Sequence, residues 1–453
     1  MVPLTQGALQ IEKERIYPMI TVQPRTPSGF PEYLPEEQLE FNRLMSIIRD
    51  TYERYGFSPI DTPDLELSEV LLTKSGGETE QQVYRFAKGG NDLTMRFDLT
   101  VPLARYTAQH EGKLVFPFRR YHIGKVHRGE RAQAGRFREF YQCDIDVIGS
   151  NSPIIDAEFP AVINEIFEKF NFGEFTIRLN NRMILNGFFE GIGLVRVAKE
   201  VLRIVDKIEK ISRDELIAEL RALRLDDAQI DQVINFTEIS GDNDTVLDQL
   251  KATDIKSDEF QDGIEKLEAV VKALRIMGVP ENRFKVDLKI ARGLDYYTGT
   301  VYETMLDEYP EVGSVCSGGR YDNLASHYTK TELPGVGISI GLSRLFYKLR
   351  ELGVIDPSVM SPARVVVMPF SDTQIPAALE AASVLRAEGV PVMLYSEPNI
   401  IKKKMKYADK MGFDWTILIG DQEIEAGVVS LKNMKTGESS TVSLSDLREA
   451  IVV

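Results

Sequence analysis

The chain has 453 residues, 43% of them hydrophobic and 27% charged, with 69 acidic against 54 basic side chains and a formal net charge of −15. That is long enough for two or three domains with buried cores, and no apolar run approaches the length of a membrane-spanning helix. General nucleic-acid binders are basic, so any nucleic acid here must meet local cationic patches.

The N-terminal stretch mixes Glu12, Lys13, Glu14 and Arg15 with scattered apolar residues, unlike a signal or transit peptide. Two distant cysteines, Cys143 and Cys316, and four histidines without ligand spacing make neither a disulfide framework nor a structural zinc site. A reducing cytoplasm and no protein-bound transition metal are expected. After Pro24, Pro27 and Pro31, Pro35-Glu36-Glu37 opens a helical pattern with Leu39, Leu44, Ile48, Tyr52 and Tyr55 near one stripe, stopped at Gly56. The following FSPIDTPDLEL is extended and punctuated by Pro59 and Pro63, which places it at a sheet margin or a subunit interface. LTMRFDLTVPLARY then runs from a strand into a helix.

The segment from Phe118 to Gly149 carries the most chemistry. Between Phe118 and Glu139 it holds seven Arg/Lys against two Glu, a cationic strip on an acidic background. It reads as a strand through His127-Arg128, a polar loop over Gly129 to Gly135, and a second long strand. In that second strand Gln142, Asp144 and Asp146 alternate with Cys143, Ile145 and Val147, the period of a strand with one polar and one apolar face. Extending the register backward adds Phe140, Arg138 and Arg136 to the polar face. Guanidiniums, a ring, an amide and carboxylates in line could receive a triphosphate, a base and a small amine.

From Asn181 to Arg283 the pattern turns helical, with Ser212 to Glu215 as a capping box. Asp226 to Asp262 contains eleven acids and two lysines, which suits a solvated face. Strands resume with FKVDLKIARGLDYYTGTVYETML, followed by a glycine-lined helix start at GVGISIGLSRLFYKL. Past Pro362, ARVVVMPF, VPVMLYS and DWTILIG alternate with helices, as in a small α/β domain with parallel pairing.

Four motifs occur in order: R128-G-E130-R131 through G135-R136-F-R138-E-F140-Y-Q142, then A291-R292-G293-L294-D295-Y296-Y297, G318-G319-R320-Y321-D322 and G341-L-S-R344. Together they resemble the class II aminoacyl-tRNA synthetases, and within them the histidyl-tRNA synthetase family, over residues 20 to 453. The resemblance implies an α+β catalytic domain on an antiparallel sheet (residues 20–180 and 284–355), a helical insertion domain (181–283), a C-terminal α/β anticodon-binding-like domain (362–453) and an N-terminal extension (1–19). It also implies a homodimer built on the motif containing the first helix and the Pro-bearing strand.

The activity implied is that of a histidine–tRNA ligase, with L-histidine, ATP and histidine tRNA as substrates, Mg²⁺ accompanying ATP and no zinc. By resemblance Arg128 and Arg292 hold the α-phosphate as the catalytic pair, Arg344 reaches the γ-phosphate, Glu130 meets the adenine amino group and Phe140 stacks on the base. Guanidiniums suit this task because they stay charged and fork onto phosphate oxygens. Asp146 and Tyr297 are implied for the imidazole nitrogens, with Tyr296 and Tyr321 shaping the pocket, and Asp98, Thr100 and Gln142 for the α-ammonium. A neutral imidazole has one donor and one acceptor, so a carboxylate opposite a hydroxyl satisfies both. Some members carry Glu where this chain has Asp98 and Asp146; the eukaryotic-like branch uses Asp.

Gln133 matches a position associated with the tRNA acceptor end. Lys402, Lys403, Lys404, Lys406 and Lys410 share one helix, either as a phosphate-binding stripe or as a solubilising surface. Arg119, Arg120 and Arg131 fit substrate contact or surface equally, and Asp144 fits an orienting or a solvated role. Two rivals share the fold: a histidine-sensing regulatory subunit of ATP phosphoribosyltransferase, and a paralogue that activates histidine without charging tRNA. The intact motifs and the presence of residues 362–453 weigh against the first.

Overall fold

A computed structural model describes residues 23–72, 77–131, 135–205, 211–290, 297–322 and 325–451. The largest element is an eight-stranded sheet in the spatial order Ser58–Pro59, Phe118–His127, Glu139–Ile148, Gly335–Ile340, Cys316–Tyr321, Thr300–Leu306, Phe175–Asn181, Phe284–Val286. The interior strands pair antiparallel, and only the two short edge strands pair parallel. Pro59 thus lies at the margin, where its missing N–H costs no ladder bond.

The Pro35–Arg54 helix begins at its proline and ends before Gly56, whose φ of +75° needs a residue without a Cβ. Its buried stripe is Phe41, Leu44, Ile48 and Tyr52, so Phe41 rather than Leu39 leads it. Together with the Pro153–Phe170 helix it covers the apolar face of the sheet, where Cys143, Ile145 and Val147 are fully buried. The Tyr52 hydroxyl donates to the Cys143 carbonyl at 2.9 Å, pinning helix to strand. The opposite face, with Phe140, Gln142, Asp144 and Asp146, is left for the site.

The central hairpin pairs Phe118 with Ile148 through His127 with Glu139. The polar face does not extend as a strand to Arg136 and Arg138. The Arg138 carbonyl still accepts from the Arg128 N–H at 2.8 Å, but the Arg138 N–H goes to the Gly29 carbonyl at 2.8 Å, so this pair keeps one bond and the strand ends at it. A separate three-stranded antiparallel sheet, Leu65–Leu67, Asn91–Met95 and Arg85–Lys88, leads into the Thr100–His110 helix.

Among the described residues, six α-helices lie between Arg182 and Ile276, in the segment expected to be the insertion. Its acidic surface conceals apolar stripes: Leu216, Ile230, Val246, Phe260 and Leu267 belong to the same buried cluster as the large sheet. The second sheet has the order Val392–Leu394, Val365–Pro369, Trp415–Ile419, Val428–Asn433, Ser439–Ser443, parallel over the first three strands and antiparallel beyond. Helices Ile375–Ala387 and Ile401–Met411 flank it. Among the described residues no helix is long and apolar enough to cross a membrane.

Candidate active site

The Glu139–Ile148 strand forms the floor of two adjoining cavities. The wide one, about 280 Å³, is lined by Arg128, Glu130, Arg136, Phe140, Gln142 and Arg344 among others. The narrow one, about 40 Å³, is lined by Thr100, Asp144, Asp146, Tyr297 and Tyr321 among others. Ser317 and Ser339 line both, so the cavities meet along the strand rather than lying apart.

At the wide end the Arg128 guanidinium sits 4.4 Å from the Phe97 ring centroid and 5.1 Å from that of Phe140, with Nε donating to the Phe97 carbonyl at 3.2 Å. Two rings and a carbonyl fix a charge that cannot titrate away. Burial lowers its pKa, opposed by the negative charges of Asp98, Glu130 and Asp144. Arg344 reaches the same cavity from the first turn of the Leu342–Glu351 helix, its Nη2 donating to the Val312 carbonyl at 2.9 Å. Arg136 enters from the loop and pairs with Glu130 at 2.8 Å, while Arg138 turns away, its Nε donating to the Glu130 carbonyl at 2.9 Å.

At the narrow end Asp146 is 4% exposed and accepts a short hydrogen bond from the Tyr321 hydroxyl. Arg120, fully buried and opposite Asp146 in the hairpin register, places Nη2 2.5 Å from the Asp146 Oδ2. Burial pushes the Asp146 carboxyl up, and the Arg120 charge followed by the Tyr321 hydroxyl pulls it down. Burial likewise pushes the Tyr297 hydroxyl up, keeping it a neutral donor. Space for these groups is made by missing side chains. A Cβ on Gly337 would lie 2.0 Å from Asp146 Oδ1, and one on Gly335 would lie 2.3 Å from the Tyr321 ring.

Gln142 lines the wide cavity, its Nε2 donating at 2.8 Å to the Oγ of Ser339, which lines both. Asp98 caps the Thr100–His110 helix, its Oδ1 accepting from the N–H groups of Thr100 and Val101 at 3.0 and 2.9 Å. Arg292, Tyr296 and Gln133 lie outside the described residues. Lys402, Lys403, Lys406 and Lys410 are exposed on the Ile401–Met411 helix of the second sheet. Lys404 is not part of that stripe: it is 2% exposed and its Nζ donates to the Pro369 carbonyl at 2.5 Å.

Arg119 is accounted for structurally, held by Glu158 and over the Phe57 ring at 4.5 Å. Arg120 and Asp144 were ambiguous in sequence, and Ser317 and Ser339 gave no signal there. The missed cue was alternation in the first hairpin strand, which puts Arg120 and His122 on the face of Asp146 and Asp144.

An antiparallel sheet whose open face sets caged guanidiniums beside an aromatic ring and buried carboxylates is the construction of a class II aminoacyl-tRNA synthetase. A family model described as histidyl-tRNA synthetase matches residues 29–345, and one described as an anticodon binding domain matches residues 364–453. The chain is 54% identical over 428 residues to the histidine–tRNA ligase of Clostridium tetani, covering 94% of this chain and 97% of that protein. The crystal structure of histidyl-tRNA synthetase from Nostoc sp. PCC 7120 superposes with a TM-score of 0.90 at 40% identity, covering 95% of this chain and all of that one. A Bacillus halodurans structure titled ATP phosphoribosyltransferase regulatory subunit/histidyl-tRNA synthetase superposes with a TM-score of 0.73; at 21% identity it speaks to the fold alone. The chain belongs to the histidyl-tRNA synthetase family.

Proposed function

We propose that the chain is a histidine–tRNA ligase and that its two cavities divide the first half-reaction between them. L-Histidine reacts with ATP to give histidyl-adenylate and pyrophosphate, and the histidyl group then passes to the 3′ end of its tRNA. The observation that supports this division is the continuity of the floor: Phe140, Gln142 and Asp146 lie on one strand face, and the cavities over them share Ser317 and Ser339.

Adenine would stack on Phe140 with its amino group toward Glu130. Arg128 and Arg292 would meet the α-phosphate, and Arg344 the γ-phosphate. A carboxylate oxygen of histidine attacks the α-phosphorus, an oxygen–phosphorus bond forms, and the bond to the β-phosphate oxygen breaks as pyrophosphate leaves. Rigid guanidiniums stabilise the charge that gathers at phosphorus without reorganising. The imidazole would donate to Asp146 and accept from Tyr297, with Tyr321 holding the carboxylate in place and Tyr296 completing the wall. Asp98, Thr100 and Gln142 would hold the α-ammonium.

Among the described residues no group of three or more His, Cys, Asp or Glu is placed to hold a metal ion. Mg²⁺ would accompany ATP, carried on its phosphates. In the second step a terminal ribose hydroxyl attacks the histidyl carbonyl and AMP leaves. Gln133, Lys402, Lys403 and Lys406 are the residues proposed to meet the tRNA. The domain limits of residues 20–180 with 284–355, 181–283 and 362–453, a homodimer through the Pro35–Arg54 helix, and a cytoplasmic location belong to the same proposal.

Histidine-dependent ATP–pyrophosphate exchange, followed by charging of histidine tRNA, tests the whole. Exchange and charging are expected. Loss of exchange would point to a histidine sensor, and exchange without charging to a paralogue with another acceptor. Sedimentation giving only monomer at micromolar concentration would remove the dimer.

A further inference from the structure

Asp144 has no role in the reading above, yet it lies at the centre of the floor. Its side chain shares a strand face with Gln142 and Asp146 and lines the narrow cavity. It is 3% exposed, and its Oδ1 has no hydrogen-bond partner among the described residues. The Gln142 Oε1 is buried and unpartnered too, because the amide nitrogen is committed to Ser339. Buried acceptors are rarely left without donors. The Ser339 hydroxyl accepts from Gln142 and bonds the Asp144 carboxyl, yet it leaves Oδ1 and Oε1 open on the same strand face. Two open acceptors are complementary to a group that has only donors, and an alkylammonium is such a group.

The charges agree with this reading. Arg120 attracts both carboxylates but sets its Nη2 against Asp146. His122, the cross-strand partner of Asp144, is held neutral, its pKa pushed down to about 3 by burial and by Arg120 and Arg96. Tyr297, which lines the narrow cavity with Asp144, is kept neutral by burial, and so is Cys316, which lies in the row of Ile340 and Cys143 on the other face of the sheet. Asp98 adds negative charge, and Arg128 is held at the far end of the floor by its two rings.

We propose that Asp144 is a further substrate-binding residue, whose unpartnered carboxylate oxygen joins the Gln142 amide oxygen in holding the α-ammonium of the amino acid. The proposal rests on the histidine reading of the narrow cavity. Burial raises the Asp144 carboxyl to about 7, with Arg120 and Ser339 opposing the rise and Asp146 and Asp98 adding to it. An arriving ammonium favours the ionised form, so binding near neutral pH expels a proton from the site.

Calorimetric titration of the full chain tests this with two ligands, L-histidine and the analogue carrying a hydroxyl in place of the amine. At pH 8, Asp144→Asn should weaken histidine by roughly 10- to 100-fold and the hydroxy analogue by less than about twofold. At pH 7, in buffers of different ionisation enthalpy, the wild type should release about half a proton beyond the imidazole share, and Asp144→Asn should not. Equal weakening of both ligands, or no such proton from the wild type, overturns the role of Asp144. The proton count needs no variant, and Asp144→Ser replaces Asp144→Asn if the amide misfolds. Wild-type protein that binds neither ligand overturns the histidine reading itself, and the role of Asp144 with it.

Discussion

The two ends of the floor strand achieve recognition by opposite means. At the wide end a cavity of about 280 Å³ surrounds charges that are mounted rather than enclosed, with Arg128 clamped between rings and Arg136 65% exposed in its pair with Glu130. At the narrow end a cavity of about 40 Å³ is bounded by carboxylates only 3% and 4% exposed. The wide end can accept a flexible, hydrated polyanion, because guanidiniums keep their charge in any local setting. The narrow end cannot adjust: with so little volume, selectivity comes from whether every buried donor and acceptor is satisfied. Loss of a group at the first end should therefore slow the reaction, and at the second it should weaken binding.

Arg128 gives the largest expected contrast. Arg128→Ala should cut histidine-dependent exchange by about 1,000-fold or more while histidine affinity, read by calorimetry, stays within about twofold. Arg128→Lys should recover only part of the rate, since an ammonium cannot fork onto two phosphate oxygens. A collapse of histidine affinity in either variant would break the division between the two ends. At the narrow end, Gly337→Ala adds a methyl 2.0 Å from Asp146 Oδ1 and 2.7 Å from the Ile145 carbonyl, on a rigid strand pair. Histidine affinity should fall by at least about 100-fold with ATP binding retained. Tyr321→Phe, which removes only the hydroxyl donor to Asp146, should cost about tenfold in the same measurement.

The difference between the ends also governs stability. Asp144 has a folded pKa raised to about 7 by burial, so its contribution is fully present below the usual aspartate value and is lost as pH rises through 7. Asp144→Asn should raise the thermal midpoint at pH 8 by a few degrees and leave it nearly unchanged at pH 4. An equal shift at both values would mean that burial does not raise this carboxyl.

Much of this was legible in the sequence because it rests on local periodicity. The alternation of Gln142, Asp144 and Asp146 with Cys143, Ile145 and Val147 gave both faces of the floor, and the prolines marked the helix start and the sheet margin. What failed was non-local. Arg136 and Arg138 continue the alternation, but the Gly29 carbonyl, more than a hundred residues away in sequence, takes the Arg138 N–H and leaves its pair with Arg128 a single bond. A guanidinium that neutralises a buried carboxylate looks the same in sequence as one in water, so Arg120 became readable only through its pairing with Asp146. The insertion was read by its period as helical with a solvated acidic face; what composition could not say is that its apolar stripes join the core of the sheet.

The lysine helix beside the second sheet tests the smallest effect. Lys404 falls on the turn that carries the buried Ala408, so helical period alone separates it from Lys402, Lys403 and Lys406. Exposed lysines act on a polyanion through counterion release, additively and with strong salt dependence. Replacing Lys402, Lys403 and Lys406 together by Ala should raise the KM for tRNA roughly 3- to 10-fold and flatten its salt dependence by about two charges, leaving exchange untouched. Lys404→Met should do the reverse. It removes a buried ammonium bound to the Pro369 carbonyl and should change unfolding while sparing the salt slope. If instead the triple variant keeps its KM and slope, the stripe is only a solubilising surface, and the tRNA must be held by residues on the catalytic sheet.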